Sequence, residues 1–295
     1  MKTKINIGFV ILHYKTYKQT INCVKSILEN NNYKKIIITI VDNFSNNGSI
    51  EIIEKEFKTY ENIKILKCNK NLGFARGNNV GIKWINDNYS TKYIAVLNND
   101  TQIINKDFYN LVEEEYKNSK FAIMGPKIKL LNNKTNPICK QNISLSELLK
   151  LQRILRRKII IRYLHIESII EFIKSIFKKK QSPTQVKLNP NNYYKNIILH
   201  GCFLIFSKDY FKIYDGFDER TFLFREEELL FLRIKRSKLT SVYNPKIIIF
   251  HEEDASTNYA LPNERKRAIF KSKNMYYSNK ILINEVKKHG GTIWN

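Results

Sequence analysis

Four short polar signals follow one another along this chain of 295 residues, and their placement constrains the fold more than any other feature. They are VDNFSNNGS at 41–49, NLGFARGNN at 71–79, LNND at 97–100 and GFDERTFLFREEELLFLR at 216–233. Three of the four set a carboxylate or a glycine turn directly after a short β-rich run. An open α/β sheet gathers its ligands at the carboxyl ends of its strands. The order therefore predicts an α/β fold with a crevice along one edge of a sheet.

The segments between the signals agree. Residues 5–12 are nearly continuously apolar, as in a buried parallel strand. Residues 16–29 carry helical spacing through Tyr17, Ile21, Val24 and Leu28. A strand rich in β-branched residues over 35–41 precedes a helix over 49–57, with Ile50, Ile53 and Phe57 on one face. A strand at 63–66, a helix near 75–85, a strand at 93–97 and apolar segments at 108–116 and 121–128 continue the βαβ alternation. A doubly wound sheet is expected there. After a polar loop at 132–137, residues 144–180 turn helical and basic, and 181–192 are polar again, with Pro183 and Pro190 as breakers. A strand at 197–206, a helix at 226–235, a strand at 241–250 and a long basic helix at 262–286 follow. The expected organisation is one domain in two halves, 1–134 and 196–295, separated by a basic helical insertion at 135–195.

Charge narrows the partners. The chain has 51 Lys+Arg against 27 Asp+Glu, a net +24, which favours nucleic acid, a membrane surface or phosphorylated substrates. With 43% hydrophobic residues the chain is globular, not disordered. Cys23, Cys68, Cys139 and Cys202 form no CxxC pair and no zinc-ligand spacing. Free thiols in a reducing compartment are expected. No stretch approaches the ~20 apolar residues of a membrane-spanning helix. The apolar start lacks a cleavage site and is expected to be a buried first strand, which makes a cytoplasmic location the expectation.

Several residues have a chemical and a plain structural use. Asp42, followed by Asn43, can accept a hydrogen bond from a base or a ribose, although Asp, Asn and Gly are also what turns prefer. Gly73 and Gly77 fit a turn into a helix whose free N–H groups face an anion, or a simple strand–helix connection; neither a P-loop nor GxGxxG is present. Asp100 ends an apolar strand, where hard oxygen ligands suit Mg²⁺ or Mn²⁺. His251 can complete a metal shell or bond a phosphate, though a lone histidine at a strand end is more often structural. Glu226, Glu227 and Glu228 complement the dipole at a helix start. One of them can also take a proton from a hydroxyl.

Taken together, these strings resemble the family 2 glycosyltransferases, an inverting family with the GT-A fold, in a rhamnosyltransferase-like branch. The resemblance covers roughly residues 4–129 and 197–282. VDNFSNNGS is similar to the family's VDNxSxxGS nucleotide corner, NLGFARGNN to its NxGFaxGnN element, and FDERTFLFREEELLFLR to GFDExfFlyxEDxdlxxR. The implied fold is a Rossmann-like, mostly parallel sheet flanked by helices. The first half would bind the nucleotide sugar, and the second would hold the acceptor and the base. The implied donor contacts are Asp42, Asn43, Gly73, Arg76, Asn79, Asn98 and Asn99. Asp100 and His251 would hold a divalent metal, Mg²⁺ or Mn²⁺. Glu227 would be the catalytic base, with His200, Gly201, Asp218 and Glu226 on the acceptor side and Arg233 as the closing basic residue.

Three departures stand out. The family's DxD is Asn98-Asn99-Asp100, which keeps one carboxylate. The ED pair is Glu226-Glu227, one methylene longer at the base. Leu229 stands where an Asp is frequent. HEEDAST resembles the family's HxxxxS, through His251 and Ser256. The implied reaction moves a hexosyl or deoxyhexosyl unit from a nucleoside-diphosphate sugar to a hydroxyl of a surface glycan, a lipid-linked one included. A sugar nucleotidyltransferase would need a Gly-rich basic loop after the first strand, and HYKTYKQT has no glycine. A non-enzymatic basic binding protein would not need Asp42, Asp100 and Glu227 together.

In the insertion, Ile159, Tyr163, Ile166, Ile170, Ile173 and Phe177 lie on one helical face. Lys150, Arg153, Arg156, Arg157 and Lys158 precede that stripe, and Lys178–Lys180 close it. The pattern suits an interfacial helix on an anionic inner leaflet, at about 1 kcal/mol per basic residue, and equally a helix packed on the catalytic domain. No nucleic-acid-binding motif accompanies the charge, so nucleic acid is not an expected partner.

Overall fold

The computed structural model describes residues 2–30, 35–131, 134–136, 144–164, 188–252 and 263–288. Four strands run parallel in the order β3-β2-β1-β4: β1 (Thr3–His13), β2 (Ile36–Asp42), β3 (Ile63–Lys67) and β4 (Tyr89–Asn98). Helices α1 (Tyr17–Glu29), α2 (Ser49–Glu56) and α3 (Gly73–Asn88) connect them. Register does the positioning. His13 lies opposite Asp42, and Leu12 opposite Asn98, so the carboxyl ends of the three central strands finish level.

The sheet continues as β4-β8-β6-β9-β5, with β7 (Tyr194–Lys195) also on β9. β8 (Phe203–Ser207) is antiparallel to both β4 and β6 (Ile123–Leu130). β9 (Ser241–His251) is parallel to β6, and β5 (Thr101–Ile103) is antiparallel to β9. The remaining helices are α4 (Phe108–Ser119), α5 (Leu145–Tyr163), α6 (Lys208–Phe211), α7 (Glu226–Arg236) and α8 (Glu264–Lys287).

Period-two alternation puts the sheet's apolar residues into two layers. Ile7, Phe9 and Ile11 of β1 pack with Val24 and Ile27 of α1 and Phe108 and Val112 of α4. Val10 of the same strand packs on the other face with Ala75, Ile82 and Ile85 of α3. A third cluster joins Leu148 of α5, Leu229 and Leu232 of α7, and Leu282 and Val286 of α8. α5 starts on a capping motif in which the Ser144 hydroxyl accepts from the Glu147 N–H. It runs antiparallel to α8: Asn279 Nδ2 donates to Leu148 O at 3.0 Å, and Arg162 Nη1 to Ala268 O at 2.8 Å.

One expected strand is shorter than its apolar run. Ile197, Ile198 and Leu199 are buried but irregular, and β8 begins only at Phe203. The Ile197 N–H donates to Ser241 Oγ at 3.0 Å instead of to a strand partner. β5, β7 and α6 have two to four residues each, too few to leave a periodic signal. Cys23 and Cys202 are buried free thiols and Cys68 a half-buried one. Among the described residues no helix is long and apolar enough to cross a membrane. Cys139, Ser256, the 166–177 part of the apolar stripe, Lys178–Lys180 and Pro183 lie outside the described residues.

Candidate active site

The 41–49 segment, expected to be the nucleotide corner, sits at the end of β2. Asp42 Oδ1 accepts from the Ser45 N–H at 3.1 Å and the Ser45 hydroxyl at 2.5 Å. Burial pushes its carboxyl above the usual range, against the pull of those two bonds. Asn43 clamps the loop that enters α3. Its Nδ2 donates to Gly73 O and Asn71 Oδ1, both at 3.1 Å, and its Oδ1 accepts from the Leu72 N–H at 2.8 Å.

The start of α3 is docked on the segment that leads to the three glutamates. Gly73 has φ +80°, and a Cβ there would stand 2.2 Å from Phe222 O. That same carbonyl accepts from the Phe74 N–H at 2.8 Å. Only glycine meets both demands. Arg76 Nε donates to Glu219 O at 2.9 Å. Asn79 takes the Phe217 N–H at 2.8 Å and returns a bond to Phe217 O at 3.0 Å. Here Asn43, Gly73, Arg76 and Asn79 tie the crevice walls together through protein–protein bonds.

At the end of β4, the Asn98 N–H donates to Cys202 O at 2.9 Å. Asn99 is buried and donates to Thr16 Oγ1 at 2.8 Å and Thr20 Oγ1 at 3.0 Å, which fixes the start of α1. Asp100 behaves differently. Its Oδ1 lies 3.2 Å from His251 Nε2, both side chains being 6% exposed. Yet neither that oxygen nor either ring nitrogen of His251 has a hydrogen-bond partner. Buried polar atoms left unpaired cost roughly 1–3 kcal/mol each. A divalent cation would satisfy a carboxylate oxygen and an imidazole nitrogen together, so these residues fit the metal. Among the described residues no third His, Cys, Asp or Glu joins them in a metal-sized cluster. Two side chains plus diphosphate oxygens and water is the shell they allow.

The turn between residues 199 and 203 links this corner to the glutamates. The His200 ring lies 6.0 Å from the His251 ring. The Gly201 N–H donates to Glu227 Oε1 at 3.1 Å. A Cβ on Gly201 would stand 2.7 Å from that oxygen, so glycine here makes room for the carboxylate. Glu227 is the second residue of α7, which follows two consecutive left-handed residues, Phe224 (φ 75°) and Arg225 (φ 70°). Such conformations cost about 1–3 kcal/mol each for non-glycine residues and persist where surrounding contacts hold them. Arg225 supplies the contacts, pairing with Glu228 and donating to Asn279 Oδ1 of α8 at 3.2 Å.

All three glutamates are pushed upward by burial. Glu226 is 4% exposed, its Oε1 is unpartnered, and burial with the neighbouring Glu227 charge takes its carboxyl to about 8. In Glu227 its own backbone N–H, the Gly201 N–H and the Arg225 charge oppose burial. The Glu227 charge adds to burial at Glu226, whereas the Gly201 N–H and Arg225 favour the ionised form of Glu227, so a proton shared by the pair is held better by Glu226. Asp218 differs again. Burial would raise it, but Arg220, at 2.8 and 2.6 Å, more than offsets burial and holds it below the usual range. Arg220 and Arg236 both also pair with Glu285, knitting the loop, α7 and α8 around a cavity of about 430 Å³.

Sequence reading missed Ser45, Phe222, Cys202 and Arg225. Ser45 and Phe222 match fixed positions of the family strings, and Arg225 left a trace as a base directly before three acids.

The model of the family described as "Glycosyl transferase family 2" matches residues 9–214, more than half the chain, and stops just before the 216–233 segment. Among solved structures, the S. aureus TarS 1-349 complex with UDP is 15% identical, with TM-score 0.52 over 98% of this chain and 72% of that one. GalNAc-T7 with UDP, GalNAc and Mn2+ is 11% identical, with TM-score 0.59 over 98% and 55%. At these identities the likeness is one of fold. Two other TarS structures align at TM-scores of 0.39 and 0.38, and the chain spans only 41% and 25% of their length. No curated protein sequence matches significantly. The family match, on a sheet whose strand ends carry the crevice described above, establishes that this chain belongs to glycosyl transferase family 2.

Proposed function

We propose that the chain is an inverting glycosyltransferase that moves a hexosyl or deoxyhexosyl unit from a nucleoside-diphosphate sugar to a hydroxyl of a surface-glycan acceptor. The acceptor would be lipid-linked and met in the cytoplasm, at the inner face of the cell membrane. One observation carries the proposal: Glu227, buried beside Glu226, is held by the Gly201 N–H one residue from His200, whose ring faces His251 of the Asp100–His251 pair. A base and an anion-stabilising corner share one short turn.

In the proposed reaction the acceptor oxygen attacks the anomeric carbon as Glu227 takes its proton. The bond from that carbon to the diphosphate breaks on the opposite face, and the electron pair leaves with the nucleoside diphosphate. Inversion follows from a single displacement. Asp100 and His251 would hold Mg²⁺ or Mn²⁺, which supplies positive charge for the departing diphosphate. Asp42 would accept from the base or ribose, with Asn98 and the start of α3 alongside. Residues 1–134 would then be the donor half and 196–295 the acceptor half. UDP is the first nucleotide to try, because the TarS and GalNAc-T7 structures hold it.

Titration calorimetry with UDP, with and without Mn²⁺, tests this. Asp42→Ala should weaken UDP binding under both conditions. Asp100→Ala should remove only the metal-dependent part. Unchanged affinity in both variants would remove the nucleotide-sugar reading.

A further inference from the structure

The antiparallel helices α5 and α8 carry six and seven Lys/Arg respectively and only three Glu between them, in a chain of net charge +24. Of those glutamates, Glu285 is buried against Arg220 and Arg236. Every basic side chain of α5 except Arg162 is exposed, as are Lys266, Lys280 and Lys287 of α8. Within the same two helices lie exposed apolar groups: Ile160 at 48%, Tyr163 at 52%, Tyr277 at 63%, and Leu164 at 62% just past the end of α5. Lys273 Nζ sits 4.9 Å from the centre of the Tyr163 ring, and Tyr277 lies one turn beyond Lys273 on the same face of α8.

The inner side of α8 holds the catalytic loop. The Phe270 ring packs on Phe222 at 6.4 Å, Ser278 Oγ donates to Leu223 O at 2.8 Å, and Asn279 receives Arg225. Residues 222–225 lead directly to Glu227.

We infer that the outer faces of α5 and α8 form a docking surface for an anionic phospholipid bilayer, which seats the loop leading to Glu227 at the lipid–water boundary. Charge alone would suit any polyanion. The exposed aliphatics separate the cases, because Ile160 and Leu164 gain by entering the headgroup–acyl boundary and offer nothing for a nucleotide base to stack on. Tyrosines at the level of the headgroups complete the pattern. The inference deepens the glycosyltransferase proposal and rests on it only for what occupies the crevice. A lipid-linked acceptor would reach Glu227 without leaving the membrane surface.

The test is sedimentation of the full chain with vesicles of phosphatidylcholine alone, or with about a third phosphatidylglycerol. The wild type should bind the anionic vesicles only. Binding should fall as salt shortens the Debye length from ~10 Å at 0.1 M to ~3 Å at 1 M. Each exposed basic residue should count for about a fivefold change, the equivalent of about 1 kcal/mol. A combined Arg153→Gln, Arg157→Gln, Lys280→Gln and Lys287→Gln variant should therefore bind two to three orders of magnitude more weakly, by multiplication of about fivefold per residue. A second variant, Ile160→Ser with Tyr277→Ser, should weaken binding at every salt concentration. Absence of wild-type binding to anionic vesicles at low salt, equal binding to neutral ones, or full binding by both variants would overturn the surface. So would tighter binding to a single-stranded RNA oligonucleotide than to the vesicles. UDP calorimetry on the same preparations keeps the two proposals apart: loss of UDP binding in the wild type would defeat the enzyme reading and leave the vesicle result to decide the surface.

Discussion

Replacing Glu227 by Gln removes one charge and little else. The amide keeps the length of the side chain, and its oxygen can still accept from the Gly201 N–H now 3.1 Å from Glu227 Oε1. A positioned base contributes roughly 10²–10⁴-fold, which at about 1.36 kcal/mol per tenfold is about 3–5 kcal/mol of barrier. Turnover of donor with acceptor should fall within that range while UDP affinity stays unchanged. Stability should hold or rise, since burial already disfavours the charge. The wild-type rate should show an acid limb above the ordinary glutamate range, because activity needs ionised Glu227 and burial raises its pKa. Activity is then lost as pH falls through that raised value. The limb should be absent from the residual rate of the Gln variant. Near wild-type turnover, or an unshifted limb, would refute the assignment and move attention to Glu226.

Other outcomes are as specific. Glu226 is raised to about 8, so its contribution to stability is full below the ordinary glutamate pKa and is lost as pH rises toward 8. Glu226→Gln should therefore be more stable than wild type at pH 8–9 by on the order of a few kcal/mol, with the gap closing near pH 4, as thermal unfolding would read it. Gly201→Ala places a methyl 2.7 Å from Glu227 Oε1 and should lower kcat well before it lowers Tm or UDP affinity. His13 bridges Thr20 Oγ1 at 2.7 Å and Ser49 Oγ at 2.9 Å, and burial lowers its pKa to about 4. Stability from the neutral ring should be present above pH 6.5 and lost as pH falls through 4, a loss that His13→Gln should largely remove.

The N-terminal half was the most legible part of the fold. Its strands are unbroken apolar runs and its helices keep one clean stripe, so β1 to β4 and α1 to α3 fall within a few residues of the expected bounds. The 197–199 run deceived because burial and strand pairing are separate conditions, and there only the first holds. In the site, residue types were legible and partners were not. Asn43 and Asn79 carry the polarity of nucleotide contacts, but each satisfies backbone from a distant segment that no spacing rule reveals. The left-handed Phe224 and Arg225 were invisible for a similar reason: nothing in a Phe-Arg pair announces positive φ, and tertiary contacts impose it.

β8 lies between β4 and β6, although it follows both by more than seventy residues in the chain. While the protein is being synthesised, β4 and β6 emerge first and wait with their mutual edges open. Unpaired edges of apolar strands are templates for association, and a growing chain is exposed to them for as long as the gap takes to translate. A stall within that interval leaves a sheet missing its central strand. Sensitivity to chaperone depletion should thus concentrate on nascent chains that end before Phe203, and drop once Ser207 has cleared the ribosome.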